Sequence, residues 1–123
     1  MRRTIGIVML SNAALFVLGA VQHTGIPIGP LHEPVIIPAA IVESICALTL
    51  IWGLVSVLTG SRHEWFAALA GNLVAIAGVA LGMVALAAGA GPRTASNDLY
   101  HRIMLALSAV ALVLMFIRRK AAK

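Results

Sequence analysis

The sequence predicts an all-α integral membrane protein: a four-transmembrane-helix bundle with both termini on the cytoplasmic side. Three observations predict it. The 123 residues are 61% hydrophobic and 11% charged, with mean hydropathy +1.02, which is more apolar surface than a soluble domain of this size can hide. The apolar residues fall into four runs of about 18 residues or more, the length a helix needs to cross hydrocarbon while satisfying its own backbone. The charges are sorted as well. With four alternating spans, Arg2, Arg3, Arg62, Arg118, Arg119, Lys120 and Lys123 share one side, and Arg93 and Arg102 are left on the other. The positive-inside rule puts the first side in the cytoplasm, with the bacterial inner membrane as the expected location of this multi-pass chain.

The spans are residues 5–21, 35–58, 65–90 and 100–117, in a single membrane domain over 1–123. Outer segments 22–34 and 91–99 and an inner turn 59–64 join them. At roughly 1.5 Å rise per residue each span crosses, or nearly crosses, a core of roughly 30 Å. Met1-Arg2-Arg3 before an apolar run resembles a signal peptide, but Gln22 and His23 follow without a small-x-small cleavage site, so an uncleaved first span is expected. The segment from His23 to Pro34, broken by Gly25, Pro27, Gly29 and Pro30, is expected to be extended or turn-rich. Pro34 suits the first turn of span two, with Pro38 tolerated one turn further in. Gly60-Ser61 ends span two. Arg62, His63 and Glu64 then read as a polar turn only, and Trp65 and Phe66 as interface anchors. Gly91 and Pro92 are expected to stop span three, and Ser96 or Asn97 to cap span four, with Asp98 favoured in its first turn by the helix dipole.

Span three carries a packing code. Ala68, Gly71, Ala75, Gly78, Gly82, Ala85 and Gly89 recur at spacings of three and four and form a seam of small residues. In lipid such a seam lets two backbones approach closely. It marks a central helix or a dimer face; the alternative is a flat wall beside a planar ligand such as haem or quinone. Asn12 and Asn72 are expected to act as interhelical hydrogen-bond glue, while Ser44 and Ser108 bond back to their own helices. Asn12, Phe16, Gly19 and His23 follow one face of span one. The lone Cys46 excludes an internal disulfide and reads as a small packing residue.

Glu43 is the one acid inside a span, roughly 12 Å down a helix that starts near Val35. A carboxylate there must be paired, protonated or solvated, and it is either a proton or substrate site or a pin for helix packing. Ala39, Ala40, Cys46, Ala47 and Leu50 share its helical face, which suggests an interior stripe. On the outer side, His23 ends span one, His32 and Glu33 precede span two, and Asp98 and His101 begin span four, with Arg93, Tyr100 and Arg102 alongside. Convergence of these helix ends would assemble a ligand site from His23, His32, Glu33, Asp98 and His101, with Glu43 beneath. His23, His32 and His101 are candidate ligands for zinc, copper or iron, and Asp98 has the spacing to orient His101. Axial haem ligation by His23 and His101, acid–base work on a lipid-surface substrate, or ordinary polar helix ends are the other readings. No HExxH or CxxC spacing selects among them.

The stretch Pro38-Ala-Ala-Ile-Val-Glu43, the apolar run after it, the short basic turn and the Ala/Gly-rich third span resemble the DoxX-like group of small four-helix membrane proteins. The resemblance covers about half the chain and implies the same four-helix fold. The segment from Gly91 to Arg102 looks like parts of small bacterial four-span membrane proteins. The size is similar to that of small multidrug transporters, but those carry their essential acid in the first span, and span one here has none. The expected function is a non-catalytic membrane subunit or binding protein with an outward-facing His/acid site. The alternatives are a proton- or cation-coupled transporter using Glu43 and a haem- or metal-dependent redox enzyme. Expected partners are the lipid bilayer and a homo-oligomer or larger membrane complex. Nucleic acid is not expected, because the net charge of +5 sits in clusters flanking hydrocarbon spans.

Overall fold

The computed structural model describes residues 1–29 and 34–121. Its helices are α1 (Arg2–Gln22), α2 (Ile37–Thr59), α3 (Glu64–Ala87) and α4 (Ala95–Ala121). All four are long and apolar enough to cross a membrane. Each packs on its neighbours in sequence, and α4 closes the ring against α1. Both termini and the α2–α3 turn therefore lie at one end, and His23 and the α3–α4 connection at the far end.

The helices run past some of the apolar spans, because a polar residue at a wet helix end continues the backbone ladder without entering hydrocarbon. α4 starts at Ala95 rather than near Tyr100. Its cap is Thr94, whose hydroxyl accepts the Asn97 amide at 3.1 Å. Ser96 and Asn97, the expected caps, lie inside the first turn instead. α3 stops earlier than expected. Gly89 takes a left-handed φ of 81°, and the Ala90 amide folds back to the Ala85 carbonyl at 2.9 Å. Gly89 is thus the terminator in place of Gly91. It leaves the packing seam, since nothing lies within 4 Å of where its Cβ would be. Pro34 precedes α2, and Pro38 fills the first-turn position where a missing N–H costs nothing. Gly60, at φ 68°, ends α2 as expected.

α2 and α3 meet backbone to backbone near the termini. A Cβ on Gly53 would stand 2.9 Å from the Ala67 carbonyl oxygen, and one on Gly71 would stand 2.6 Å from that of Thr49. Ala68 is fully buried in the same contact, and Ala75 is fully buried further along α3. Beyond them the seam changes character. Gly78 faces the side chains of Cys46 and Val42, and Gly82 faces His101 of α4. Cys46 is buried, and its thiol donates weakly to the Val74 carbonyl at 3.6 Å.

Asn12 joins two helices as expected, while the expectations for Ser108, Asn72 and Glu64 are corrected. Asn12 donates to Ser108 at 2.8 Å and so joins α1 to α4, which gives Ser108 a partner outside its own helix. Asn72 instead donates to Ala68, one turn back on α3. Glu64 is more than part of a turn: its carboxylate accepts from Arg2 at 3.3 Å and Arg118 at 2.6 Å, tying α1 and α4 to the start of α3. Arg119 lies 4.5 Å over the Trp65 ring, and Trp65 meets Phe116 edge-on at 5.0 Å.

Gly71→Ala has only backbone to displace and should lower stability by about 1–3 kcal/mol. Val84→Ala, on an exposed face, should stay within about 0.5 kcal/mol of the parent. Reversible unfolding in mixed micelles measures both.

Candidate functional site

Past Gly78 the close approach of α2 and α3 ends, and a cavity of about 220 Å³ opens at the far end of the bundle. Phe16, Val42, Val79 and Met104 give it apolar walls, and Gly82 and Ala85 of the seam line it from α3. Phe16, Val79 and Met104 are buried and close its floor. Four polar residues, His23, Glu43, Asn97 and His101, reach it. They are 3%, 6%, 6% and 7% exposed, so each is a core residue rather than a wet helix end.

His23 caps the C-terminus of α1. Its carbonyl accepts the Ile36 amide at 3.0 Å, and its ring Nδ1 donates to the Pro34 carbonyl at 3.3 Å. A carbonyl only accepts, so Nδ1 carries a proton; in the neutral ring Nε2 is then an acceptor. That Nε2 lies 3.8 Å from Glu43 Oε1. Glu43 is six residues into α2, roughly 9 Å from its start, on a buried stripe with Ala40, Cys46, Ala47 and Leu50. Its second oxygen, Oε2, is buried with no hydrogen-bond partner among the described residues.

Tyr100 reaches across from α4. Its hydroxyl donates to the Leu15 carbonyl at 2.7 Å and is a hydrogen-bond neighbour of the Glu43 carboxyl. Both groups fit against α1 because residue 19 is glycine. A Cβ there would fall 2.7 Å from Glu43 Oε1 and closer still to the Tyr100 hydroxyl. His101 lies on the buried face of α4 with Asn97, Met104 and Ser108, and its Nε2 is 3.3 Å from the Cβ position of Gly82.

Of the residues expected to converge, His23, Glu43 and His101 line one cavity. Asp98 does not. It is one residue past Asn97, off the buried stripe, and Arg93 holds it at 2.9 Å. His32 and Glu33 lie outside the described residues. Among the described residues no group of three or more His, Cys, Asp or Glu is placed to hold a metal ion. The cavity volume, about 220 Å³, lies below the roughly 300–1,000 Å³ of ordinary ligand pockets and suits a ligand of a single ring or a short chain. Three contributors escaped the sequence reading: Gly19 as a notch, Tyr100 as the strut across it, and Asn97 as a lining residue. The four-residue spacings Gly19–His23 and Asn97–His101 were the available signals, because each places both members on one helix face.

Gly19→Ala should displace Tyr100 or Glu43 and lower stability by about 1–3 kcal/mol. Gly6→Ala meets chiefly the flexible end of Leu58 and should stay within about 1 kcal/mol of the parent. Paired unfolding curves in mixed micelles measure the contrast. Comparison of the chain with models of known families, with curated proteins and with solved structures finds no match.

Proposed function

We propose that the chain is a non-catalytic binding protein of a bacterial inner membrane. Its termini face the cytoplasm, and its far-end cavity holds a small ligand on His23, Glu43 and His101. The orientation rests on the basic residues: Arg2, Arg3, Arg62, Arg118, Arg119, Lys120 and Lys123 belong to the termini and the α2–α3 turn. The observation that carries the binding reading is Glu43 Oε2, a buried acceptor in the wall of a cavity with no partner among the described residues. A buried polar group without a hydrogen bond costs about 1–3 kcal/mol, and a ligand with a donor removes that cost. The floor at Phe16, Val79 and Met104 favours a pocket over a conduit, and so favours binding over transport.

The seam of small residues on α3 was the ground for expecting a further helix partner. Gly71, Ala75 and Gly78 of that seam are occupied within the chain by α2 or buried. The described residues of the proposed site all come from one copy of the chain.

The test is retention. Protein purified in mild detergent without chelator is denatured, and its small molecules are identified by mass spectrometry. Wild type should retain a molecule that Ala85→Leu, which fills the cavity from α3, has lost. Identical extracts from the two folded proteins would contradict the reading.

A further inference from the structure

The geometry points to a small amphiphilic amine as the ligand of this cavity, its ammonium seated between Glu43 and His23 and its apolar body against Val42, Val79 and Met104. The inference rests on the binding reading above and names the chemical class it takes.

The gap at Glu43 is poor in donors. Glu43 Oε1 and His23 Nε2 face each other at 3.8 Å, beyond hydrogen-bond range. With Glu43 ionised and the one proton of a neutral His23 ring committed to Pro34 through Nδ1, both facing atoms are acceptors. The Tyr100 hydroxyl has a single proton, and it has both the Leu15 carbonyl and the Glu43 carboxyl beside it. Glu43 Oε2 has no partner among the described residues. A hydroxyl offers one donor to this set. An ammonium offers several at once, together with a positive charge beside the one acid that lines the cavity among the described residues. An ionised carboxylate in an apolar cavity needs a paired cation more than a neutral donor.

The walls set the rest of the molecule. Apart from the four polar residues the lining is apolar, and a volume of about 220 Å³ admits a single ring or a short chain. Access is sideways as well as from the end. Pro38 of α2 and Leu81 of α3 both line the cavity and are exposed, and both belong to helices of membrane-spanning character. A molecule dissolved in the bilayer can therefore enter between α2 and α3. Ile36, packed against Gly91, narrows the end.

The test compares 2-phenylethylammonium with 2-phenylethanol, which share a ring and spacer and differ in the head group. Binding to the full chain in lipid nanodiscs is measured by titration calorimetry, with empty nanodiscs subtracted for partitioning. The amine should bind wild type at least about tenfold more tightly than the alcohol. Glu43→Gln should weaken the amine by about tenfold and change the alcohol by less than about threefold. Equal affinity of the two probes for wild type would overturn the amine assignment while leaving cavity binding intact. Absence of amine binding would overturn it too, and the retention experiment then decides the binding reading by itself. If Glu43→Gln fails to fold, the wild-type ratio decides the question, and Ala85→Leu, with the cavity filled, should bind neither probe.

Discussion

The backbone contact between α2 and α3 at Gly53 and Gly71 is the constraint on which the rest of the structure depends. In lipid the hydrophobic effect does not drive helices together, so close packing must. Two glycines, one on each helix, let carbonyl oxygens lie where a Cβ would otherwise be. The contact is strong near the termini and ends at Gly78, where the facing group becomes the Cys46 side chain. The same small residues that join the helices at one end become the wall of a cavity at the other. Packing and site are two stretches of one seam.

Polar groups inside the bundle then have to be satisfied by the chain itself. Most are. Asn12 finds Ser108, Ser44 returns to Ala40, and Tyr100 spans from α4 to the Leu15 carbonyl of α1. Gly19 makes the last of these possible by leaving room for a phenol oxygen and a carboxyl oxygen against the helix backbone. Three oxygens, Asn12 Oδ1, Asn72 Oδ1 and Glu43 Oε2, are left without a partner among the described residues, and of these Glu43 is the one whose residue lines the cavity. A polar atom that the fold places with care and leaves without a partner among the described residues is the natural point for a ligand to attach.

Much of this was legible in the sequence. Hydropathy located the four helices, and the positions of Ala40, Cys46, Ala47 and Leu50 put Glu43 on the buried face of α2. What was not legible turns on single-residue choices among chemically equivalent neighbours. Thr94, Ser96 and Asn97 all have capping side chains, and the start of the helix backbone selects Thr94. Gly89 and Gly91 can each end a helix, and the left-handed turn falls at Gly89. On α4 it is Asn97, four residues before His101, that continues the buried face, while Asp98 lies off it and pairs with Arg93. Gly19 and Tyr100 are distant in sequence, and their fit depends on how α1 and α4 meet, which no local pattern encodes. At the termini, charge sorting identified the basic end but not the role of Glu64, the one acid there, which draws two arginines from different helices onto α3.

The central claim is that Glu43 and His23 share one buried gap at the head of the cavity. Solid-state NMR on the protein in lipid bilayers tests it directly, through the dipolar coupling between the Glu43 carboxyl carbon and the His23 Nε2 nitrogen. The Glu43 signal is assigned by its loss in Glu43→Gln. With Oε1 and Nε2 at 3.8 Å, a resolved coupling to His23 is expected. A Glu43 carboxyl that shows no coupling to His23 would contradict the account.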